Sequence, residues 1–191
     1  MKKAIAREGK GFTPQPKTTN NAWQDMPWGK IQRKIFKLQK AIYTASASGN
    51  KAKARRLQRL LHKSWYARLL AVRKVTQDNQ GKRTAGVDGV KSLNPKERLV
   101  LTEKLRFRGK AKSLRRVWIP KPGRDEKRPL GIPTMQDRAY QALVKLGLEP
   151  YWEAQFEAES YGFRPGRSAH DAIDAIFKKV LRRPQYVLDA D

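Results

Sequence analysis

The sequence has 191 residues, 39% of them hydrophobic, and its 43 Lys and Arg against 17 Asp and Glu give a formal net charge of +26. That supplies the core of one ordinary domain, while the absence of cysteine excludes disulfides and thiolate-held zinc, and two histidines leave any metal to oxygen ligands. No run of about 20 apolar residues is present for a membrane span, and the basic start "MKKAIAREGKGFTPQPKTTNNA" has no apolar leader stretch, so a soluble, intracellular, cytoplasmic protein is expected.

Residues 1–22, rich in Gly, Pro, Thr, Asn and Lys without periodicity, are expected to form a disordered basic tail. From Pro27, Trp28, Ile31, Ile35, Leu38 and Ile42 recur every three or four residues and predict an amphipathic helix that ends at "SASGN". Asn50 then caps a second predicted helix carrying Leu57, Leu60, Leu61, Trp65, Leu69 and Val72, with Arg55, Arg56, Arg59 and Lys63 among the basic residues on its remaining surface. Residues 23–75 therefore read as a basic, antiparallel helical hairpin. Residues 76–90, "TQDNQGKRTAGVDGV", have loop chemistry, and Asn94 with Pro95 opens a helix through "KERLVLTEKLRF".

The period then changes. "LRRVWIP" and "RPLGIP" read as strands around the turn "KPGRDEK", a hairpin with a basic rim. Thr134 and Asp137 have capping-box-like spacing before a helix over about 135–148, which Pro150 is expected to interrupt, with "YWEAQFEAE" resuming as a short helix. Ser168, with Asp171 three residues on, caps a last helix whose stripe is Ile173, Ile176, Phe177, Val180 and Leu181. Pro184 ends it, and "QYVLDAD" opens a strand that puts Asp189 and Asp191 on one face.

Charge is unevenly spread: residues 1–83 hold 21 basic and 3 acidic side chains, residues 104–128 hold 11 and 2, and from 134 onward the count is 8 against 9. Self-repulsion of that size favours a polyanionic partner, and phosphate contacts release counterions, so nucleic acid is expected. An anionic membrane is the competing reading, disfavoured because no basic helix carries a broad exposed apolar face.

Five groups of residues bear on chemistry. Lys121 and Arg128 flank the hairpin turn, where a point charge and a bidentate fork can converge on one anion, or simply be solvated. Arg164 and Arg167 surround a Pro-Gly turn entering a helix N-terminus, suited to phosphate, or else pair with acids such as Glu157 or Glu159. His62 and His170 stand alone and read as surface or capping residues, while the helix dipole accounts for Asp171 and Asp174. Trp65, Tyr66, Trp118, Tyr151 and Trp152 either stack on bases or belong to the core. Asp189 and Asp191 either form a frayed acidic end or begin a Mg²⁺ site for a nucleoside triphosphate.

Taken in order, "KRTAGVDGV", "RRVWIPKPGRDEKRPLGIPTMQDRAYQALV", "LEPYWEAQFEAESYGFRPGRSAHDAI" and "YVLDAD" closely resemble the reverse transcriptases encoded by bacterial group II introns, over about residues 60–191. The resemblance implies an α+β, right-hand polymerase fingers subdomain at 76–184, mostly helical with one small antiparallel β-hairpin. It would be preceded by a helical N-terminal extension at 23–75 and followed by the first palm strand at 185–191. In that family the matching residues place Lys121 and Arg128 on the incoming dNTP and make Asp191 the catalytic Mg²⁺ ligand, with Asp189 as its neighbour. The loop with Lys82 and Arg83 would lie over the template, "YGFRPGR" with Arg164 and Arg167 would be the fingers insertion, and Arg55, Arg56, Arg59 and Lys63 would contact intron RNA.

The implied function is an RNA-directed DNA polymerase that extends a DNA primer or target on intron RNA and, as a maturase, assists splicing and mobility. Two alternatives stay open: a non-catalytic RNA-binding maturase scaffold, and a reverse transcriptase of another bacterial retroelement. Lys121, Arg128 and Asp191 are present together, which favours catalysis. The family's second acidic cluster, Tyr-Ala-Asp-Asp, does not occur in these 191 residues, so the chain alone is expected not to extend a primer.

Overall fold

A computed structural model describes residues 22–106, 110–123, 125–181 and 186. In chain order the elements are α1 (Trp28–Ala47), α2 (Lys51–Lys63), α3 (Trp65–Arg73), a π-helical turn Lys74–Asp78, a 3₁₀ turn Gln80–Arg83, α4 (Pro95–Lys104), β1 (Arg115–Pro120), β2 (Lys127–Ile132), α5 (Met135–Glu153) and α6 (Ala169–Val180). Among the described residues this is the expected α+β composition, mostly helical with one antiparallel pair of strands.

Local signals explain most boundaries. Gly49, at φ +71°, ends α1 in a Schellman turn: Asn50 N–H donates to the Ala45 carbonyl and Gly49 N–H to that of Ser46. Asn50 then caps α2, its side chain accepting from Lys53 N–H at 2.9 Å. Asn94 and Glu97 form a full capping box behind Pro95, and Ser168 with Asp171 does the same for α6.

Two predicted elements differ. The single helix expected after Asn50 is two, because Ser64 is extended (φ −66°, ψ 128°) and its backbone breaks the run. The break re-aims the apolar stripe. Ala54 and Leu61 bury one face of α2, Ala67, Leu69, Ala71 and Val72 fill α3, and Leu60 is left 56% exposed. Pro150, expected to interrupt its helix, lies inside α5, which runs on to Glu153. Proline removes the N–H that would bond the Leu146 carbonyl, and Gln39 of α1 supplies the missing donor through Nε2 at 3.0 Å. Gln58 of α2 donates likewise to the Gly147 carbonyl at 3.0 Å.

α5 is the centre of the core. Met135, Ala139 and Leu143 pack with Ile31, Ile35 and Ile42 of α1, Leu61 of α2, and Leu69 and Val72 of α3. The core therefore crosses the expected boundary between residues 75 and 76. Trp23 closes one end, edge-on to Trp28 with ring centroids 5.0 Å apart and Nε1 donating to Gln77 at 2.8 Å. The tail expected at 1–22 lies, but for the partly buried Ala22, outside the described residues.

The helix expected after Ser168 is present, and its apolar stripe lies open. Ile173, Ile176, Phe177, Val180 and Leu181 are each between 45% and 64% exposed. Pro184 and the strand expected at 185–191 lie outside the described residues, Tyr186 excepted.

Candidate functional site

β1 and β2 stand out from the helical body, with every strand residue exposed except the half-buried Val117, Ile119 and Ile132. Their register pairs Ile119 with Arg128 and Pro120 with Lys127. Directly paired residues share a face and faces alternate along a strand, so Lys121, one step beyond Pro120, lies on the same face as Arg128. The hairpin thus brings the two expected cations together. Lys121 holds a carboxylate already: Nζ lies 2.5 Å from Glu126 Oε2, and its N–H donates to the Glu126 carbonyl at 2.9 Å. Arg128 has no such partner among the described residues. Glu126 is the hairpin residue that sequence reasoning passed over, although its place in the turn "KPGRDEK" was visible.

The helix pair beside the core is uniformly basic. Between Trp28 and Lys63 the chain carries eleven Lys and Arg and no Asp or Glu, and all eleven are exposed. Arg56, Arg59 and Lys63 are three and four residues apart, which aligns them on one stripe of α2 with Arg55 beside it. None of the four has an acidic partner among the described residues. Of the aromatic residues considered for stacking, Trp118 and Trp152 are exposed, whereas Trp65, Tyr66 and Tyr151 pack against the core.

Two arginines close loops. Arg164, a candidate phosphate ligand, has a side chain only 6% exposed; Nε and Nη2 grip the Glu153 carboxylate at 3.1 and 2.8 Å, and Nη1 donates to the carbonyls of Glu157 and Ser160, each at 2.6 Å. Four of its five N–H donors are thus committed within the protein. The hydrogen bonds and charge of Arg164 lower the pKa of the Glu153 carboxyl. Arg167 remains exposed, its guanidinium 5.7 Å from the Tyr161 ring. Arg138, which sequence reasoning missed, donates to the carbonyls of Pro133, Gly81 and Thr84 at 3.0, 2.7 and 2.6 Å. In the loop so held, Lys82 turns inward, its Nζ 2.7 Å from the Gln77 carbonyl, and Arg83 is exposed.

His62 was read as a surface or capping residue and is half-buried between α2 and α5, its ring against Gly147. Burial lowers its pKa, partly offset by a hydrogen bond with the Val144 backbone. His170 is exposed in the first turn of α6.

Asp189 and Asp191 lie outside the described residues, and among the described residues no group of three or more His, Cys, Asp or Glu could hold a metal ion. The donor chemistry of the expected site, carboxylates without thiols, suits a hard cation such as Mg²⁺. No helix among the described residues is long and apolar enough to cross a membrane.

Among the described residues a basic helix pair and α5 share one core, and a small antiparallel hairpin carries Lys121 and Arg128 on one face. Residues 23–105 match the family described as the N-terminal domain of reverse transcriptase, and residues 119–191 match reverse transcriptase (RNA-dependent DNA polymerase). The chain is 36% identical over 169 residues to Protein YkfC of Escherichia coli (strain K12), which covers 82% of this chain and 43% of that protein. It is 38% identical over 145 residues to Maturase-like protein 1 of Euglena gracilis, 74% of this chain and 31% of that protein. Group II intron-encoded protein LtrA of Lactococcus lactis subsp. cremoris is 46% identical over 63 residues, 33% of this chain and 10% of that protein. The chain belongs to the reverse transcriptase family, among the group II intron reverse transcriptases and maturases. It spans less than half the length of these relatives.

Proposed function

We propose that the protein serves as an RNA-directed DNA polymerase and maturase of a group II intron, with α1 and α2 holding intron RNA and the hairpin holding the incoming dNTP. The observation that carries this reading is the acid-free, exposed basic surface of α1 and α2, fastened through α5 to the element that bears Lys121 and Arg128. A surface of this kind binds phosphate backbone without needing a base sequence.

On the hairpin, Arg128 offers a fork to phosphate oxygens, while Lys121 exchanges the Glu126 carboxylate for the triphosphate, one anion for a more charged one. Asp191 is the residue that would hold Mg²⁺, which when bound supplies charge neutralisation of the transferring phosphate. Template RNA would pass the 79–92 loop and Arg83, and a DNA primer or target would supply the attacking hydroxyl. Intact Lys121, Arg128 and Asp191 favour this over a non-catalytic scaffold.

The test is kinetic and uses the full-length polymerase. Lys121→Ala and Arg128→Ala should each raise KM for dNTP by about tenfold or more, the loss of one charge-assisted contact, and leave RNA affinity unchanged. An unaltered dNTP dependence in both variants overturns the assignment of the hairpin.

A further inference from the structure

Arg138 joins parts of the chain that are far apart in sequence. Its Nε bonds the Pro133 carbonyl just before α5, and its two terminal nitrogens bond the carbonyls of Gly81 and Thr84, 57 and 54 residues earlier. Three carbonyls around one planar guanidinium form an arrangement that the single ammonium of lysine does not reproduce.

Other contacts seat the same loop at the same place. A Cβ on Gly86 would lie 2.7 Å from Thr134 Cα and 2.9 Å from the Pro133 oxygen, so backbone rests directly on backbone there. Ser92 N–H donates to the Lys82 carbonyl at 3.0 Å, closing the loop on itself. The Lys82 ammonium bonds the Gln77 carbonyl, and Gln77 is held in turn by Trp23. Every contact of this set is internal, and Arg83 is left exposed with no ion-pair partner among the described residues.

We propose that Arg138 is a positioning residue: it fastens the 79–92 loop onto the Pro133–Thr134 turn, so that Arg83 meets the phosphate backbone of RNA from a pre-ordered loop. Pro133 directly follows β2, so the loop and the hairpin that carries Arg128 are fixed to one turn. Ordering before binding removes an entropic cost that a free loop would meet at the moment of contact. The inference rests on the nucleic-acid reading above.

Its test uses the 191-residue chain, a structured RNA hairpin of defined sequence, and the variants Arg138→Met, Arg138→Lys, Arg83→Gln and Arg83→Gln/Arg138→Met. Trypsin cleavage after Lys82, located by mass spectrometry, should quicken by about tenfold or more in both Arg138 variants, as expected for lost charge-assisted hydrogen bonds. Arg83→Gln should lower the slope of log K against log salt by about 0.7–0.9, the share of one phosphate contact, with cleavage after Lys82 as in wild type. Arg138→Met should lower the slope by the same amount, and the double variant by no more than either single one.

Unchanged cleavage in both Arg138 variants, or losses that simply add in the double variant, overturns the proposal. Should Arg138→Met fail to fold, Arg138→Lys, which keeps stem and charge without the fork, carries the same comparison. Absence of salt-dependent RNA binding by the wild-type chain would defeat the nucleic-acid reading and the Arg83 half of the proposal, while the cleavage result still decides whether Arg138 fastens the loop.

Discussion

Replacing Gln39 with leucine should cost the protein about 1–3 kcal/mol, because it leaves a half-buried carbonyl without a donor. The carbonyl is that of Leu146, whose helical partner would be the N–H that Pro150 lacks, and Gln39 Nε2 stands in at 3.0 Å. Leucine keeps most of the volume and removes only the donor. In a Pro150→Ala background the alanine N–H returns to the Leu146 carbonyl, so the same Gln39→Leu change should cost about 0.5 kcal/mol or less, a coupling of about 1–2 kcal/mol. Urea unfolding of the four proteins, compared at constant m value, measures it. Equal cost of Gln39→Leu in both backgrounds would refute the claim that α1 completes the hydrogen bonding of α5.

Gly147→Ala should destabilise despite the helix propensity it gains: about 1 kcal/mol of propensity is set against about 1–3 kcal/mol of overpacking, since the new Cβ meets the His62 ring. Urea midpoints test this, and a more stable variant would show that the ring yields freely. Burial depresses the His62 pKa, so the unfolded chain takes up a proton first: stability is full above the unfolded value and falls as pH drops through the window below about 6.5. His62→Gln should flatten the pH dependence of the midpoint in that window, and an identical profile would remove His62 from the account. Glu126→Gln frees Lys121 of its carboxylate and should lower KM for dNTP in the full-length polymerase; an increased KM would mean that Glu126 orients Lys121 for substrate.

Caps and the hairpin were legible in the sequence because their signals are local. Asn50, Asn94 with Pro95, Thr134 with Asp137, and Ser168 with Asp171 each act within three residues, and the turn "KPGRDEK" sets Lys121 and Arg128 at the ends of two paired strands. What was not legible depends on distant partners. Pro150 stays helical because of a glutamine 107 residues away, and Arg138 finds its carbonyls 54 and 57 residues back. For Arg164 the sequence left phosphate binding and pairing with a nearby acid both open, and the acid its fork meets is Glu153 of the preceding helix rather than Glu157 or Glu159. The α6 stripe has helical spacing whether or not anything covers it, so periodicity predicts the helix and leaves the exposure of its face undetermined.

The central claim is that the acid-free face of α1 and α2 is an RNA-binding surface, and the salt dependence of binding tests it most directly. The 191-residue chain and its Arg56→Gln/Arg59→Gln/Lys63→Gln variant would be titrated with structured RNA over a range of salt. The account predicts a slope of log K against log salt shallower by about 2–3 in the variant, one phosphate for each cation, with an unchanged urea midpoint. An equal slope in the two proteins would contradict it.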